Sequence, residues 1–435
     1  MLSMLKFDMK RCRGQNYDGA SSMRGHEKGL KSRVLLEEDR ALYVWCYAHN
    51  TNLAACESFK DCILLKNTVS TCEEVVKSVK WSPKREYTLN LMKQEDGVNI
   101  IGLISFSKTR WTTKRASLLA ILLNYIYLIK LFEKSAALET VADMRARLYG
   151  LCYQMRTFEF LFGLSLAIET LAVTDLLATQ LQAKDLSAQS GKEMGHMAIK
   201  TLVGLKSEFA RFWSQVLAKA QELRREKPSR FFEKKEVSDS PETAKQQYEK
   251  MFIAAFEKNI ECLENRFNQN GLEYYEALQQ VLILAASKKN YDTELKKILG
   301  FYNNERSHDF DEDILKTQLQ IFSKNFPLKE QLFIIDIENY FKEMEPSSRK
   351  LLSEVGKILE LVLVLPATNA TSERNFSKMG LIKTPIRSTM SHERLNHCMI
   401  FSTHKEEVDK LNLKKLATDF VLNVPKRKNF FAVPE

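Results

Sequence analysis

Residues 111–345 carry the pattern that most constrains the fold. Apolar residues recur there at the three- and four-residue spacing of an α-helix almost without interruption. Three stripes stand out: Leu118, Ile121, Leu122, Tyr125, Leu128 and Ile129; Phe158, Leu161, Leu164, Ile168 and Leu171; and Phe209, Phe212, Trp213, Val216 and Leu217. No fixed repeat of about 30 to 40 residues accompanies them, so a solenoid is not indicated. The pattern predicts a long all-helical region.

The flanking segments are mixed. The apolar and aromatic residues 42–45 predict a short buried strand, and residues 52–80 predict a helix. A charged, proline-broken stretch at 222–243 predicts a linker, and the polar residues 302–313 predict a loop. Residues 347–365 become increasingly apolar and predict a helix that stops at Pro366.

Charge and cysteine usage narrow the function classes. The chain has 435 residues, and 65 Lys and Arg against 55 Asp and Glu give a net charge of +10. This balance suits a polyanionic partner, and it equally suits a protein that is basic for solubility alone. None of the eight cysteines forms a Cys-x-x-Cys pair, so neither a zinc ribbon nor a disulfide framework is indicated, and we expect a reducing compartment. The greasiest run, 116–132, carries Asn124 and Lys130 and predicts a buried helix rather than a membrane span.

Three separated stretches carry a family resemblance. The first comprises residues 13–23 (RGQNYDGASSM), followed by 46–49 (CYAH) and 52–53 (NL); the second is Thr109-Arg110-Trp111; and the third comprises 365–377 (LPATNATSERNFS), 382–384, 387–390 and 393–396. A single tripeptide of this kind is uninformative. Together, in this order and with the helical stretch between the second and the third, they resemble DNA transposases of the hAT superfamily. The branch related to zinc-finger MYM-type proteins is the most similar.

This resemblance implies an α+β fold that is mostly α. It places a partial ribonuclease H-like core at 1–110, an all-helical insertion at 111–345, and the C-terminal part of the core with the hAT dimerisation region at 346–405. A basic tail follows at 406–435. Self-association through about 346–405 and a nuclear location are expected from the family. DNA is a possible further partner, and no membrane is expected.

Two carboxylates match the family's metal site. Asp18 corresponds to its second aspartate and Glu373 to the glutamate of its Ser-Glu-Arg motif, so the resemblance implies ligands for Mg²⁺ or Mn²⁺, which prefer oxygen donors. Each residue also has a structural interpretation: Asp18 as the N-cap of a following helix, and Glu373 as an acidic residue in the first turn of a helix.

The remaining candidates serve DNA binding and the shape of the site. Arg110 and Trp111 match the motif at the start of the family's insertion, where the tryptophan stacks on a base swung out of the duplex. Arg374 either contacts phosphate or pairs on a helix surface, and Trp111 could equally close the helical core. Cys46 and His49 sit near the active site in this family and shape it. Two such residues cannot hold a structural zinc, and a buried thiol with a hydrogen-bonded histidine is the simpler interpretation.

The family's first aspartate lies on an early strand, well upstream of the second. Only 17 residues precede Asp18 here, and Asp8 is the sole acidic residue among them. The sequence therefore predicts an N-terminally truncated protein that does not bind the metal pair productively and does not cut DNA. The alternative is an active metal-dependent transposase or nuclease whose first aspartate lies upstream of Met1.

Overall fold

The computed structural model describes residues 8–17, 19, 21–25, 29–106, 114–182, 188–226, 241–268, 272–305, 307–329, 331–365 and 370–431. Helices make up most of these residues, which confirms a mostly α fold. The chain divides into two compact units, Met1–Thr368 and Asn369–Glu435, which we call the core unit and the C-terminal unit. The division falls inside segment 346–405.

Two short strands lie near the start of the core unit. Strands β1 (Gly14–Tyr17) and β2 (Leu42–Trp45) are parallel, and the helices α1 (Ser21–Arg24) and α2 (Leu30–Glu37) lie in the long connection that parallel strands require. The predicted strand at 42–45 is confirmed. The side chains of β2 alternate, since Leu42 and Val44 are buried whereas Tyr43 and Trp45 are partly exposed. Two strands do not establish a ribonuclease H-like core, which stays a prediction.

The described residues between β2 and residue 302 are mostly helical. The helices are α3 (Tyr47–Asp61), α4 (Ile63–Lys80), α5 (Pro83–Glu95), α6 (Lys114–Leu123), α7 (Tyr125–Leu138), α8 (Ala142–Met155), α9 (Phe158–Gln180), α10 (Ala188–Lys206), α11 (Phe209–Glu226), α12 (Pro241–Phe267), α13 (Leu272–Ala286) and α14 (Asp292–Tyr302). The single helix predicted over 52–80 is two helices, because Cys62 adopts an extended backbone that ends α3. Apolar periodicity continues across one such residue and does not reveal it.

Helix α9 lies at the centre of the core unit. Thr157 caps it by accepting a hydrogen bond from the Phe160 N–H at 3.2 Å, and its side chains pack against α3, α4 and α6. A Cβ atom at Gly163 would lie 2.2 Å from Thr68 Oγ1, so the glycine allows α4 to approach closely. By length and hydropathy α9 could cross a membrane, but 61% of its most apolar window is buried within the protein. Its position in the core accounts for its composition.

Helices α6 and α7 contain the most apolar run of the sequence, residues 116–132. They would pass the same test as one span, but they are bent by 73° at Asn124. The fully buried Asn124 amide donates to the carbonyls of Ala120 and Ile101 at 2.7 and 2.9 Å. These bonds satisfy the amide N–H groups at the bend and tie it to the preceding segment, whereas the buried Asn124 Oδ1 has no hydrogen-bond partner among the described residues. The predicted buried position of this run is confirmed for most of its residues, whereas Leu123 is exposed.

Aromatic side chains join α9, α11 and α12. Ring centroids lie 4.6 to 6.4 Å apart, mostly tilted or edge-to-face, the arrangements that aromatic quadrupoles favour. The members are Phe158, Phe162, Phe209, Phe212, Trp213, Tyr248 and Phe252. The predicted helical stripes therefore form core, although Leu217 of the third stripe is partly exposed. Residues 227–240 of the predicted linker lie outside the described residues.

The core unit closes with a hairpin and four helices. The predicted loop at 302–313 contains a small antiparallel pair, β3 (Asn303–Asn304) with β4 (Ser307–His308), which is stabilised because Asn303 Oδ1 accepts from the N–H groups of Asp309 and Phe310 at 3.0 Å. The helices are α15 (Glu312–Asn325), α16 (Ile334–Glu343), α17 (Pro346–Leu351) and α18 (Ser353–Val364).

The C-terminal unit is helical in its described residues. Its helices are α19 (Ala370–Ile382), α20 (His392–Thr403), α21 (Lys405–Val408), α22 (Leu413–Leu422) and α23 (Pro425–Phe430), with a single 3-10 turn at Pro385–Arg387. Lys378 Nζ donates to the Ser402 carbonyl at 2.9 Å and joins α19 to α20. Ser391 caps α20, since its side chain accepts from the Arg394 N–H at 3.2 Å. The segment 406–435, which was expected to be a basic tail, is largely helical in its described residues because it contains α22, α23 and most of α21.

Candidate functional site: the strand ends and the dimerisation region

The carboxyl ends of β1 and β2 lie side by side. Tyr17 and Trp45 are paired in register, and the Cys46 N–H donates to the Tyr17 carbonyl at 3.2 Å. Cys46 is fully buried, and His49 lies partly buried in the first turn of α3. Both residues are therefore at the edge where Asp18 follows Tyr17 in the sequence. Asp18 itself lies outside the described residues.

Gly19 is described, and it is tightly packed. A Cβ atom there would lie 2.6 Å from Cζ2 of Trp45, so a larger residue does not fit without a shift of the indole. The guanidinium carbon of Arg266 lies 5.4 Å from the centroid of the Trp45 ring, within the range of a cation–π interaction. Arg266 also forms an ion pair with Glu57 of α3. The guanidinium of Arg266, at the end of α12, thus places a positive charge beside the carboxyl ends of the strands.

Helix α3 connects this edge to the helical region. Asn50 is fully buried, and its Nδ2 donates to the Arg266 carbonyl at 3.3 Å. Tyr47 stacks on Phe267 with the ring centroids 5.0 Å apart, and burial raises the pKa of its hydroxyl far above the ordinary value. Sequence patterns did not single out Arg266, Asn50 or Tyr47, since their partners lie more than two hundred residues away.

Four charged side chains form a network at the opposite ends of the strands. Arg13 donates two hydrogen bonds to the Asp309 carboxylate, at 2.5 and 2.7 Å, and Arg40 donates to the same carboxylate at 2.8 Å. Arg40 also donates to both oxygens of Glu38, at 2.7 and 2.9 Å, and Arg13 lies 3.3 Å from Glu38. Bidentate pairs of this kind are strong and directional. The network ties both strands to the 303–311 hairpin.

The network changes the pKa values of Glu38 and Arg40. Burial by itself would raise the pKa of Glu38, but the hydrogen bonds from Arg40 and the charge of Arg13 outweigh it, so the pKa lies below its ordinary value of 4.5. The hydrogen bonds with Glu38 raise the pKa of Arg40. Both groups therefore stay charged around neutral pH, which fits a structural role in positioning the strands.

The same hairpin joins α18. Lys357 Nζ donates to the Asp309 carbonyl at 3.1 Å, and Glu354 accepts from the Asp311 N–H at 3.2 Å. Gln318 Oε1 accepts from the Glu354 N–H at 2.7 Å. Segments that are far apart in the sequence therefore meet beside the strand pair.

Leu365 completes this junction. A Cβ atom at Gly14 would lie 2.4 Å from Leu365 Cδ1, so the leucine packs directly on the backbone of β1. Gly14 precedes Asp18 by four residues, and Leu365 precedes Glu373 by eight. Leu365, the first residue of the third block of the resemblance, thus packs on a residue of the first block.

The other predicted residues are placed as follows. Arg110 and Trp111 lie outside the described residues. Glu373 and Arg374 lie on α19, where Arg374 is partly buried and the side chain of Glu373 is not described. Among the described side chains, no three His, Cys, Asp or Glu residues are grouped as metal ligands. The structure leaves the predicted metal site and the DNA-contacting roles as proposals.

The C-terminal unit presents apolar residues to solvent. Leu395 is the only large apolar side chain that is buried within its described residues. Up to residue 406, the exposed ones are Phe376, Met379, Leu381, Ile386, Ile400 and Phe401, of which Ile386 is 95% exposed. Apolar surface of this extent on a helical unit is typical of an interface.

Comparison with known families identifies this region. Residues 318–406 match the hAT family C-terminal dimerisation region. The match begins in α15 of the core unit and ends in α21 of the C-terminal unit. It covers the third block of the resemblance and the exposed apolar residues of α19 and α20. The match supports membership of the hAT family.

Proposed function

We propose that the protein is derived from a hAT transposase and forms a homodimer through about residues 346–405. One observation carries this proposal: the part of the family-matched segment that lies in the C-terminal unit, residues 370–406, exposes six large apolar side chains and, among its described residues, buries only Leu395. Fully burying one such side chain stabilises a complex by about 1.5–3 kcal/mol. A second copy would cover this surface.

Light scattering after size-exclusion chromatography tests the proposal. The wild-type chain is expected to elute as a dimer at micromolar concentration, and the double variant Phe376→Glu/Ile386→Glu as a monomer. Ser388→Glu is the matched control because it adds one of the same charges at an exposed position two residues from Ile386. A strictly monomeric wild-type chain would contradict the proposal.

A DNA-binding role is a second candidate, favoured by charge. The C-terminal unit holds twelve Lys and Arg against seven Asp and Glu, and Arg374 and the Trp111 motif match DNA-contacting positions of the family. Cations that neutralise phosphates release counterions, so affinity should fall steeply with salt. Gel shifts from about 50 to 200 mM salt test this. Absence of a shift at low salt would exclude the role.

The short basic segment Lys426-Arg427-Lys428 supports nuclear import in the same protein.

The chain by itself should not cut DNA. Two-metal phosphoryl transfer needs several converging carboxylates, and the family's motifs are matched here at two positions, Asp18 and Glu373. Their oxygen donors suit Mg²⁺ or Mn²⁺, but two ligands hold the ions weakly. With either metal, the wild-type chain, Asp18→Asn and Glu373→Gln are expected to leave DNA equally intact. Cleavage by the wild-type chain that Asp18→Asn abolishes would establish the alternative, an active transposase or nuclease.

The similarity to the MYM-type branch stays a proposal based on residues 13–23 and 46–53.

A further inference from the structure

Three hydroxyl residues of the chain stand directly before a proline, at Ser82-Pro83, Ser240-Pro241 and Thr384-Pro385. Two of them also have an arginine three residues further on, since Arg85 follows Ser82 and Arg387 follows Thr384. Protein kinases select substrates partly by their charge pattern, and proline offers the enzyme no N–H beside the hydroxyl. A hydroxyl, a proline and a cation at this spacing fit a proline-directed kinase that also binds the cation. The two sequences fit equally well.

The fold distinguishes the two motifs, 82–85 and 384–387. A kinase holds its substrate segment extended, because the hydroxyl must reach the γ-phosphate of ATP while the neighbouring side chains fill separate pockets. Ser82 and Thr384 both have an extended backbone, as a residue before proline should, and both are partly buried. The difference lies in the contacts that must be broken before the whole motif can be extended.

The Ser82 motif is fixed in the first turn of a long helix. Ser82 caps α5, since its side chain accepts from the Arg85 N–H at 3.4 Å, and its carbonyl accepts from the Glu86 N–H at 3.0 Å. The Arg85 side chain is only 15% exposed, because its Nε donates to the Ser78 carbonyl at 2.6 Å and its Nη1 lies 3.8 Å from the Glu139 carboxylate. Extending this motif would remove the cap, unwind the start of α5 and withdraw the arginine from both partners.

The Thr384 motif lies in the connection between α19 and α20. It forms the short 3-10 turn Pro385–Arg387, in which the Arg387 N–H donates to the Thr384 carbonyl at 2.9 Å. The Thr384 side chain does not cap this turn. The three residues after it are exposed, and Ile386 is 95% exposed. Extending this motif therefore opens one short turn, whose backbone groups water can satisfy.

We propose that Thr384 is a phosphorylation site for a proline-directed protein kinase that selects a cation three residues after the hydroxyl. Thr384 Oγ1 attacks the γ-phosphorus of ATP, the bond from that phosphorus to the ADP oxygen breaks, and the hydroxyl proton passes to the aspartate base of the kinase. Residues 374–392 contain four Lys and Arg and no Asp or Glu, so their charge favours an acidic cation-binding site on the enzyme. The phosphate adds a charge of about −1.5 to −2 and cancels about half of the charge of this segment.

The site lies beside Ile386, which belongs to the proposed dimer contact. A second copy over Ile386 would cover the Thr384 motif, so the kinase must act on the monomer. The test therefore uses the full-length chain at concentrations at which light scattering finds monomers. Phe376→Glu is a second substrate, since it weakens the proposed dimer and leaves residues 384–387 unchanged. A wild-type chain that is monomeric at every concentration would contradict the dimer, and the phosphorylation site would be tested in the same way.

A kinase assay with a purified cyclin-dependent kinase and Mg²⁺-ATP tests the proposal, with mass spectrometry to locate the phosphate. Both motifs are present in one substrate, so Ser82 is the matched control. Thr384 is expected to be phosphorylated at least about tenfold faster than Ser82, because extending the Ser82 motif removes a helix cap and the contacts of Arg85. Equal rates at the two residues, or no phosphate at Thr384, would overturn the proposal.

A substitution tests the role of the cation. Arg387→Ala should lower the rate of phosphorylation at Thr384 by about tenfold, as the loss of one charge-assisted hydrogen bond does. Arg394→Ala removes an exposed arginine from the first turn of α20 and should leave the rate unchanged. If Arg387→Ala is phosphorylated as fast as the wild-type chain, the enzyme does not bind this cation, and the proposed class of kinase is wrong.

Discussion

The core unit and the C-terminal unit bury their apolar residues very differently. The core unit packs α9 among its neighbours and buries rings such as Phe162 completely. The described residues of the C-terminal unit bury Leu395 and expose rings such as Phe376 and Phe430. The two units contain similar kinds of apolar side chain. One unit therefore has a core of its own, whereas the described residues of the other leave most of their large apolar side chains exposed.

The largest expected effect is on the free energy of unfolding, and it compares one phenylalanine from each unit. Phe162→Ala should lower the free energy of unfolding by about 3–5 kcal/mol, because it leaves a cavity in the aromatic cluster. Phe430→Ala removes an equal side chain from a position that is 82% exposed and should change it by less than about 0.5 kcal/mol. Urea unfolding followed by circular dichroism measures both. Similar losses for the two variants would mean that the C-terminal unit has a core of its own.

The ion network is the next largest effect. Asp309→Ala should cost about 3 kcal/mol, since it removes one of the two carboxylates that the largely buried Arg13 and Arg40 share and leaves Glu38 as their only common partner in the network. Asp313→Ala removes an exposed carboxylate four residues away, on α15, and should be close to neutral. The same urea titration compares them. A small effect of Asp309→Ala would show that the strands are held by apolar packing alone.

Glu38→Gln should show a pH-dependent cost. Because the folded protein holds the pKa of Glu38 below 4.5, the stabilisation is present above that pH and is lost as the pH falls through the lowered pKa. The difference in melting temperature between the wild-type chain and Glu38→Gln should therefore be largest near pH 7 and shrink toward pH 3. A difference that grows on acidification would contradict the assigned direction.

The smallest effect concerns Asp175 on α9. Burial raises the pKa of this carboxyl from 3.8 to about 7, which the charge of Arg115 only partly offsets. The folded state therefore binds this proton more tightly than the unfolded state, and stability falls as the pH rises from about 4 to 7. Asp175→Asn should raise the melting temperature at pH 8 and change it little at pH 4. A lower melting temperature at pH 8 would show that the ionised carboxylate is stabilising.

Local patterns predicted the elements well where burial repeats with a regular period. The stripe beginning at Phe158 became α9, and the apolar residues 42–45 became β2. The pattern did not reveal the break at Cys62 or the small strands at 303–308, because one or two residues of extended backbone leave the apolar spacing almost unchanged. The helices beyond residue 406 were missed because the short basic run Lys426-Arg427-Lys428 suggested a tail.

The residues of the candidate site also separate into those that local patterns indicate and those that only the fold brings together. Motifs pointed to Asp18, Glu373 and Arg374, whose roles stay predictions, and to the C-terminal region, which the family match covers at 318–406. Spacing carried no information about Arg266 beside Trp45 or about Leu365 on Gly14, since these contacts join residues far apart in the sequence.

The sequence by itself determined a mostly helical chain, the strand at 42–45 and a C-terminal region of the hAT dimerisation type. These depend on side-chain periodicity and short motifs, which are local properties. Only the tertiary structure decided that Arg13, Glu38, Arg40 and Asp309 share one network, and that the C-terminal unit leaves its apolar residues uncovered. Whether a leucine is buried or exposed depends on what packs over it, and that neighbour comes from elsewhere in the chain or from a second copy.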